Sequence, residues 1–367
     1  MAKRKILSYI LLKPISLVYR GVVAIRNAMF DKGILKQHEF DIPVITVGNI
    51  SVGGSGKTPH TEYLLSTLYK DYRIGMLSRG YKRRTKGFVI ATENSHVEDI
   101  GDEPYQIYRK FKDRGISVAV CEKRAEGIKK MREIAPGLDM IILDDAFQHR
   151  YVKPRLSIVL MEASRLPYND SLLPFGRLRE PMSALNRADV VIVTKCPEGM
   201  QPIQRRVIAE NLNLFPYQKL LFSRFRYMAP VPLFKEGDRG KNSLVMGELT
   251  PNDCLLAVTG VANPRPFVRQ LRTYKAKVKI KRFSDHHNFT QSDLQAIEEK
   301  FTSMKGMRKY IVTTEKDAVR LMNNPYFPHS LRKFIYYLPI QVTFEEFNEQ
   351  PLETVVINLL RNNSLVR

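Results

Sequence analysis

The chain has 367 residues, with 59 Lys and Arg against 37 Asp and Glu, for a net charge of +22 at pH 7. Its 44% hydrophobic content is too high for a disordered protein, and the length suffices for two domains. Three widely spaced cysteines, Cys121, Cys196 and Cys254, exclude a disulfide framework and a cysteine-based zinc site; the cationic excess predicts a polyanionic partner, which is nucleic acid, an anionic membrane surface or a phosphorylated substrate.

Residues 6–29 are apolar in bulk but are cut by Lys13, Pro14, Arg20 and Arg26, so no run reaches the roughly 18 to 20 residues that a spanning helix needs. A cleavable signal is not expected either. Helical spacing puts Ile15, Val18, Val22, Ile25 and Met29 on one face, behind the basic cluster Lys3, Arg4 and Lys5 and the apolar patch from Ile6 to Leu12. Two readings follow: a helix packed on its own domain, or an amphipathic helix lying on a membrane surface.

Beyond residue 40, short β-branched runs alternate with helical stretches. Val44 to Val47, Arg73 to Leu77, Ile116 to Val120, Met140 to Leu143, Ser157 to Met161 and Val190 to Val193 predict a mostly parallel sheet covered on both faces. Pro230, Pro232 and the polar stretch Lys235 to Asn242 mark a linker. The rhythm resumes at Leu255 to Val258, Val278 to Arg282 and Tyr310 to Thr313, which predicts a second, smaller α/β unit. The expected division is a helix over 1–32, an α/β core over 33–222, a linker over 223–240 and the smaller domain over 241–367.

The strongest chemical signal is Ser51-Val52-Gly53-Gly54-Ser55-Gly56-Lys57-Thr58, placed between a strand and a helix. It matches the phosphate-binding P-loop pattern except at its first position, where Ser51 replaces glycine. Small residues let main-chain amides close around phosphate oxygens, Lys57 supplies charge to the β and γ phosphates, and the Thr58 hydroxyl suits Mg²⁺. Pro59 falls in the first helical turn, where a missing N–H costs nothing. The strand Met140 to Leu143 ends in Asp144 and Asp145, the carboxylates that such a loop's metal requires. Gln148 and His149 follow, close enough in the chain to orient water or substrate.

No guanine-reading Asn-Lys-x-Asp and no Asp-x-x-Gly switch accompanies the loop. Thr314-Glu315-Lys316-Asp317 reads as a Thr-x-x-Asp helix cap, so ATP is the expected nucleotide. Gly101-Asp102-Glu103-Pro104 is either a helix start or a general base beside a metal-associated carboxylate. In Ser284-Asp285-His286-His287 the adjacent histidines make a poor metal pair, Thr290 with Asp293 forms a capping box, and one histidine is placed to polarise a carboxylate base. Among the basic clusters Arg79, Lys82, Arg83, Arg84 and Arg177, Arg179, Arg187, the general reading is a solvated face; Arg124 and Arg179 are the candidates to grip phosphate. No nucleic-acid recognition module is present.

Taken together, Gly48 to Pro59, Ser78-Arg79-Gly80-Tyr81, Gly101 to Pro104, Asp144-Asp145-Ala146-Phe147-Gln148-His149, Leu178-Arg179-Glu180-Pro181, Asp285-His286-His287 and Thr314 to Ala318 resemble the tetraacyldisaccharide 4′-kinases of lipid A biosynthesis. The likeness runs from the amino-terminal helix to about residue 320, and a serine opening the phosphate loop is usual in that family. The resemblance implies transfer of the γ-phosphoryl of ATP to the 4′-hydroxyl of an acylated glucosamine disaccharide 1-phosphate at the cytoplasmic face of the bacterial inner membrane. It implies a P-loop core and a smaller α/β domain joined by a strand linker. By position it makes Asp102 the catalytic base and His286 its partner, gives Lys57 and Thr58 the phosphate-loop roles, and puts Glu103, Asp144 and Asp145 around the metal. Arg79, Tyr81, Arg124, Gln148 and Arg179 become substrate or phosphate contacts. The expected partners are that lipid and an anionic membrane surface, with no nucleic acid, and the chain is expected to act as a monomer.

Overall fold

The computed structural model describes residues 2–234, 244–344, 348 and 350–365, with backbone alone for 2–11 and 363–365. The side chains of Lys3, Arg4 and Lys5, most of the patch from Ile6 to Leu12, and all of Lys235 to Asn242 therefore lie outside the described residues. Two compact units are present. The first comprises Met1–Ser95, Ile107–Phe225 and Val342–Arg367, and the second His96–Gln106 and Arg226–Gln341. Two segments thus fall in units other than those expected from chain order: 96–106 groups with the smaller unit, and 342–367 with the larger.

In the first unit, β1 (Val44–Asn49), β2 (Ile74–Ser78), β3 (Val89–Ile90), β4 (Ser117–Val120), β5 (Met140–Asp144), β6 (Leu156–Glu162), β7 (Val190–Thr194) and β8 (Lys219–Phe222) form one sheet. Their order is β3-β4-β2-β5-β1-β6-β7-β8, parallel throughout except at β3. β1, β2, β5 and β7 are buried at every residue, which is why they read as unbroken apolar runs rather than alternating ones. Helix α1 (Ala2–Asp31) leads into the unit, and α2 (Lys57–Leu68) follows β1. The chain after β1 crosses to β2 while β5 takes the place beside β1, so the order reverses there; the carboxyl ends of β1 and β5 are where such a sheet binds ligands.

Among its described side chains, from Leu12 on, helix α1 packs on the protein through one face. Ser16, Val23 and Phe30, spaced by seven, are buried. The Ser16 hydroxyl donates to the Leu172 carbonyl at 2.9 Å, Tyr19 donates to the Arg179 carbonyl at 2.9 Å, and Phe30 meets Tyr151 edge-on. The row Ile15, Val18, Val22 and Ile25 is 54–68% exposed. The apolar face anticipated from the spacing is therefore not the one that packs on the protein.

In the second unit, α3 (Val97–Ile100) and the start of α4 (Asp102–Phe111) join a sheet built later in the chain. Past α5 (Arg124–Ile134), α6 (Pro202–Leu212) and strand β9 (Arg224–Tyr227), the strands β10 (Val231–Pro232), β11 (Cys254–Thr259), β12 (Lys277–Arg282), β13 (Lys309–Thr314) and β14 (Ile335–Leu338) order as β10-β14-β13-β11-β12. Helices α7 (Arg265–Leu271), α8 (Gln291–Thr302) and α9 (Glu315–Met322) connect them. β9 pairs with β15 (Ile340–Thr343), both unit boundaries falling inside this ribbon, and α10 (Leu352–Leu365) closes the first unit's core.

Candidate active site

The phosphate loop occupies residues 50–56, between β1 and α2. Ser51 bridges to Leu178, and the Val52 amide donates to the Arg177 carbonyl at 2.8 Å. Gly53 has φ +117° and Gly56 φ +90°, conformations that L side chains resist, and a Cβ on Gly56 would also lie 2.5 Å from Phe225 Cζ. Three successive carbonyls are taken by protein donors. Lys195 Nζ sits on that of Gly54, Thr194 Oγ1 donates to that of Ser55 at 2.8 Å, and His60 Nδ1 lies 2.7 Å from that of Gly56. The Val52 and Ser55 amides are spent on the carbonyls of Arg177 and Gly53, so an anion at the amino terminus of α2 would be met by the remaining amides of the loop. Asn49 Nδ2 steadies the loop further through Ser55 Oγ at 2.9 Å.

His60 is fully buried. A carbonyl only accepts, so Nδ1 carries the proton, and Nε2 accepts from Ser223 Oγ at 2.8 Å. Burial pushes its pKa down to about 4, so the ring is neutral at pH 7.

Asp144 ends β5 in register with Val47 of β1, is buried, and accepts the Thr61 hydroxyl at 3.1 Å. Asp145 follows with φ 48°, a turn that brings its carboxylate back toward the loop. Its Oδ1 is buried without a hydrogen-bond partner, while Lys57 Nζ and Arg179 Nη1 each stand 3.5 Å away. Thr58 in the first turn of α2, Asp144, and an orphaned oxygen on Asp145 fit the donor set of a hard divalent cation. Glu103 belongs to the other unit, where Lys316 Nζ lies 3.7 Å from it.

Arg124, the first residue of α5, is 2% exposed. Among the described residues its guanidinium donates only to the carbonyls of Cys121 and Glu122, and its Nε is buried without a partner. Burial lowers its pKa to about 10, Asp145 and Asp144 raising it and Arg79 lowering it, so it remains a cation at neutral pH. The Arg124 amide donates to His149 Nε2 at 3.3 Å, and burial together with Arg124, Arg26 and Arg79 takes His149 down to about 4. Arg79 is exposed, and Tyr81 is 58% exposed with Lys82 Nζ 5.8 Å from its ring centroid. Gln148 spends its side-chain amide on the Asn49 carbonyl at 2.6 Å, which ties it to the end of β1.

In the second unit, Asp102 begins α4 and is 4% exposed. Its carboxylate does not cap the helix. Oδ1 accepts from Arg320 Nε at 2.8 Å, and Oδ2 accepts from Arg320 Nη2 at 2.5 Å and from His286 Nδ1 at 2.8 Å. Lys316 Nζ donates to His286 Nε2 at 2.9 Å, which fixes the proton on Nδ1. Burial would raise the Asp102 pKa, but the hydrogen bonds from His286 and Arg320 outweigh it and hold the carboxyl below the usual range. His286 has φ 56°, uncommon outside glycine, and Arg320 Nη1 bonds its carbonyl and Asn288 Oδ1. The adjacent His287 is turned to Asp293 at 2.8 Å, so the pair does not converge on one point.

The expected caps are present: Thr290 accepts from the Asp293 amide, and Thr314 from that of Asp317. Four residues that contact these clusters, His60, Lys195, Lys316 and Arg320, were not singled out as site residues by sequence reasoning. Thr194-Lys195 ending an apolar strand was the available signal for one of them. The Arg320 role had none, because it depends on α9 meeting α4.

The family model described as tetraacyldisaccharide-1-P 4′-kinase (LpxK) matches residues 8–361. A tetraacyldisaccharide 4′-kinase of Bacteroides thetaiotaomicron is 47% identical over 358 residues, covering 96% of this chain and 93% of the relative. That of Flavobacterium johnsoniae is 39% identical over 353 residues, covering 96% and 97%. Among solved structures, LpxK from Aquifex aeolicus in complex with ATP superposes with a TM-score of 0.71 at 28% identity, covering 95% of this chain and 98% of that one.

Proposed function

Because the chain belongs to the tetraacyldisaccharide-1-P 4′-kinase family, we propose that it transfers the γ-phosphoryl group of ATP to the 4′-hydroxyl of a tetraacylated glucosamine disaccharide 1-phosphate. The observation that carries this reading is the phosphate loop with its carbonyls tied down at Gly54, Ser55 and Gly56 and Lys57 beside Asp145. Phosphoryl transfer demands position and charge more than covalent chemistry, and the loop supplies both.

On this reading the loop amides and Lys57 bind the triphosphate. Thr58, Asp144 and Asp145 would hold Mg²⁺, which when bound neutralises phosphate charge. The apolar hollow of about 540 Å³ beside Lys195, lined by Pro197, Met200, Gln204 and Val207, takes the nucleotide base. Arg124, desolvated and without a carboxylate at hydrogen-bond distance, suits a phosphate oxygen, as does Arg179. Asp102 accepts the proton of the attacking hydroxyl, His286 and Arg320 fixing the carboxylate's orientation. Glu103 adds a carboxylate next to that base.

The acylated acceptor explains the unpartnered row Ile15, Val18, Val22 and Ile25, which would enter the interfacial region of the cytoplasmic leaflet. No helix among the described residues is long and apolar enough to cross a membrane. The test is to mix the protein with γ-labelled ATP and the acylated disaccharide monophosphate in detergent. Labelled lipid is the expected product; free phosphate with no labelled lipid would point to a nucleotide-hydrolysing switch instead.

A further inference from the structure

Residues 254–284 contain no Asp or Glu and eight Lys or Arg. They form β11, α7 and β12, and β12 is the terminal strand of its sheet. The cations of this segment leave both faces of the same edge, Lys277 and Lys279 on one and the α7 arginines with Arg282 on the other. Helix α7 buries Phe267, Val268 and Leu271 against Leu255 and Ala257, with Val278 and Ile280 alongside, and turns Arg265, Arg269 and Arg272 outward at helical spacing. Lys277 and Lys279 pair in register with Cys254 and Leu256, whose side chains belong to the other face of the sheet. Arg282 ends the strand. All six are exposed, and none forms an ion pair among the described residues.

Like charges at these spacings repel one another, and no acidic residue within the segment relieves them. Such an array presents a concentrated positive field to a polyanion. The aromatic side chains of the segment are not free to stack on nucleobases: Phe267 is buried, Tyr274 receives the Gln270 amide, and Phe283 is engaged with His287 and Phe289. β12 runs into the loop that carries His286, only four residues beyond Arg282.

We infer that the β12–α7 rim of the second unit is an electrostatic docking surface for anionic phospholipid headgroups. The inference rests on the lipid-kinase reading and deepens it, because it assigns the polyanion predicted by the +22 charge to a defined edge of the unit that holds Asp102 and His286.

The experiment uses the full chain in flotation with vesicles of phosphatidylcholine alone or mixed with phosphatidylglycerol, at low and high salt. The wild type is expected to bind the mixed vesicles more tightly, with the increment erased by salt. The triple variant Lys277→Gln/Lys279→Gln/Arg282→Gln should lose that increment by on the order of 100-fold. Its binding to phosphatidylcholine alone should be unchanged. Lys277→Arg/Lys279→Arg should behave as wild type, which separates charge from fold. An increment that survives in the triple variant, or in Arg265→Gln/Arg269→Gln/Arg272→Gln combined with it, would overturn the inference; so would tight binding of single-stranded RNA with no lipid increment. Phosphoryl transfer in detergent is measured in parallel. A triple variant that transfers normally and keeps its lipid increment refutes the rim alone, whereas a wild type that never labels the lipid refutes the kinase reading.

Discussion

At the scale of single residues, the two clusters hold their charged groups in different ways. Lys57 faces a carboxylate oxygen that has no hydrogen bond of its own, so its charge is available to a ligand. Lys57→Ala is expected to lower turnover by about 100-fold or more, the scale of one electrostatic contact to a migrating phosphoryl group, and a steady-state assay with saturating lipid reads it directly. Asp102→Ala should leave ATP affinity nearly intact while depressing kcat; a nucleotide ligand would show the reverse split. Arg320 makes no contact with a phosphate in this reading, yet it grips both oxygens of Asp102 and the carbonyl of His286. Arg320→Met should therefore cut kcat roughly 10- to 100-fold with an unaltered KM for ATP, and Arg320→Lys should recover part of the loss, since one charge returns without the planar fork.

At the scale of elements, α1 shows how a periodic pattern identifies a helix without saying which side packs. The row 16, 23 and 30 holds the helix because Ser16 and Tyr19 find carbonyls and Phe30 finds Tyr151, while the more apolar row stays in solvent. Each apolar side chain buried in a lipid interface contributes about 1.5–3 kcal/mol. Val18→Asp/Val22→Asp should therefore weaken binding to neutral vesicles by at least about 100-fold. The thermal midpoint should stay within a degree or two of wild type, since both positions are exposed. Equal loss of vesicle binding and of fold stability would mean that this row packs on protein after all.

At the scale of the whole molecule, stability should depend on pH through two histidines, His60 fully buried and His149 half-buried. His60 and His149 are held near a pKa of about 4, against 6.5 when exposed. The folded-state values are lowered, so the unfolded chain takes up protons first as pH falls. The stabilisation is complete above about 6.5 and is lost between there and about 4. For fully buried His60 the loss between pH 7 and pH 5 is about 2 kcal/mol; that from His149, which is less enclosed, is smaller. Urea midpoints measured at the two pH values should fall accordingly, and His60→Gln should flatten the dependence. The same variant should weaken nucleotide binding, because the Gly56 carbonyl loses its imidazole donor.

Sequence alone determined the mostly parallel sheet, the phosphate loop and the strand-end carboxylates, because each is a local pattern: an unbroken apolar run, a spacing of small residues before Lys-Thr, a strand that stops at charge. It also raised Asp102 and one of the two adjacent histidines as candidates from their motifs, and resemblance then singled out Asp102 as base and His286 as its partner. Tertiary structure decided what joins residues far apart in the chain. Residues 96–106 fold with a sheet that begins more than a hundred residues later, which sets Asp102 against His286 and Arg320. His60 reaches Ser223, and Lys195 reaches Gly54, by the same kind of closure. No periodicity encodes such contacts; they follow from the packing of whole elements, whose burial is the dominant favourable term in folding.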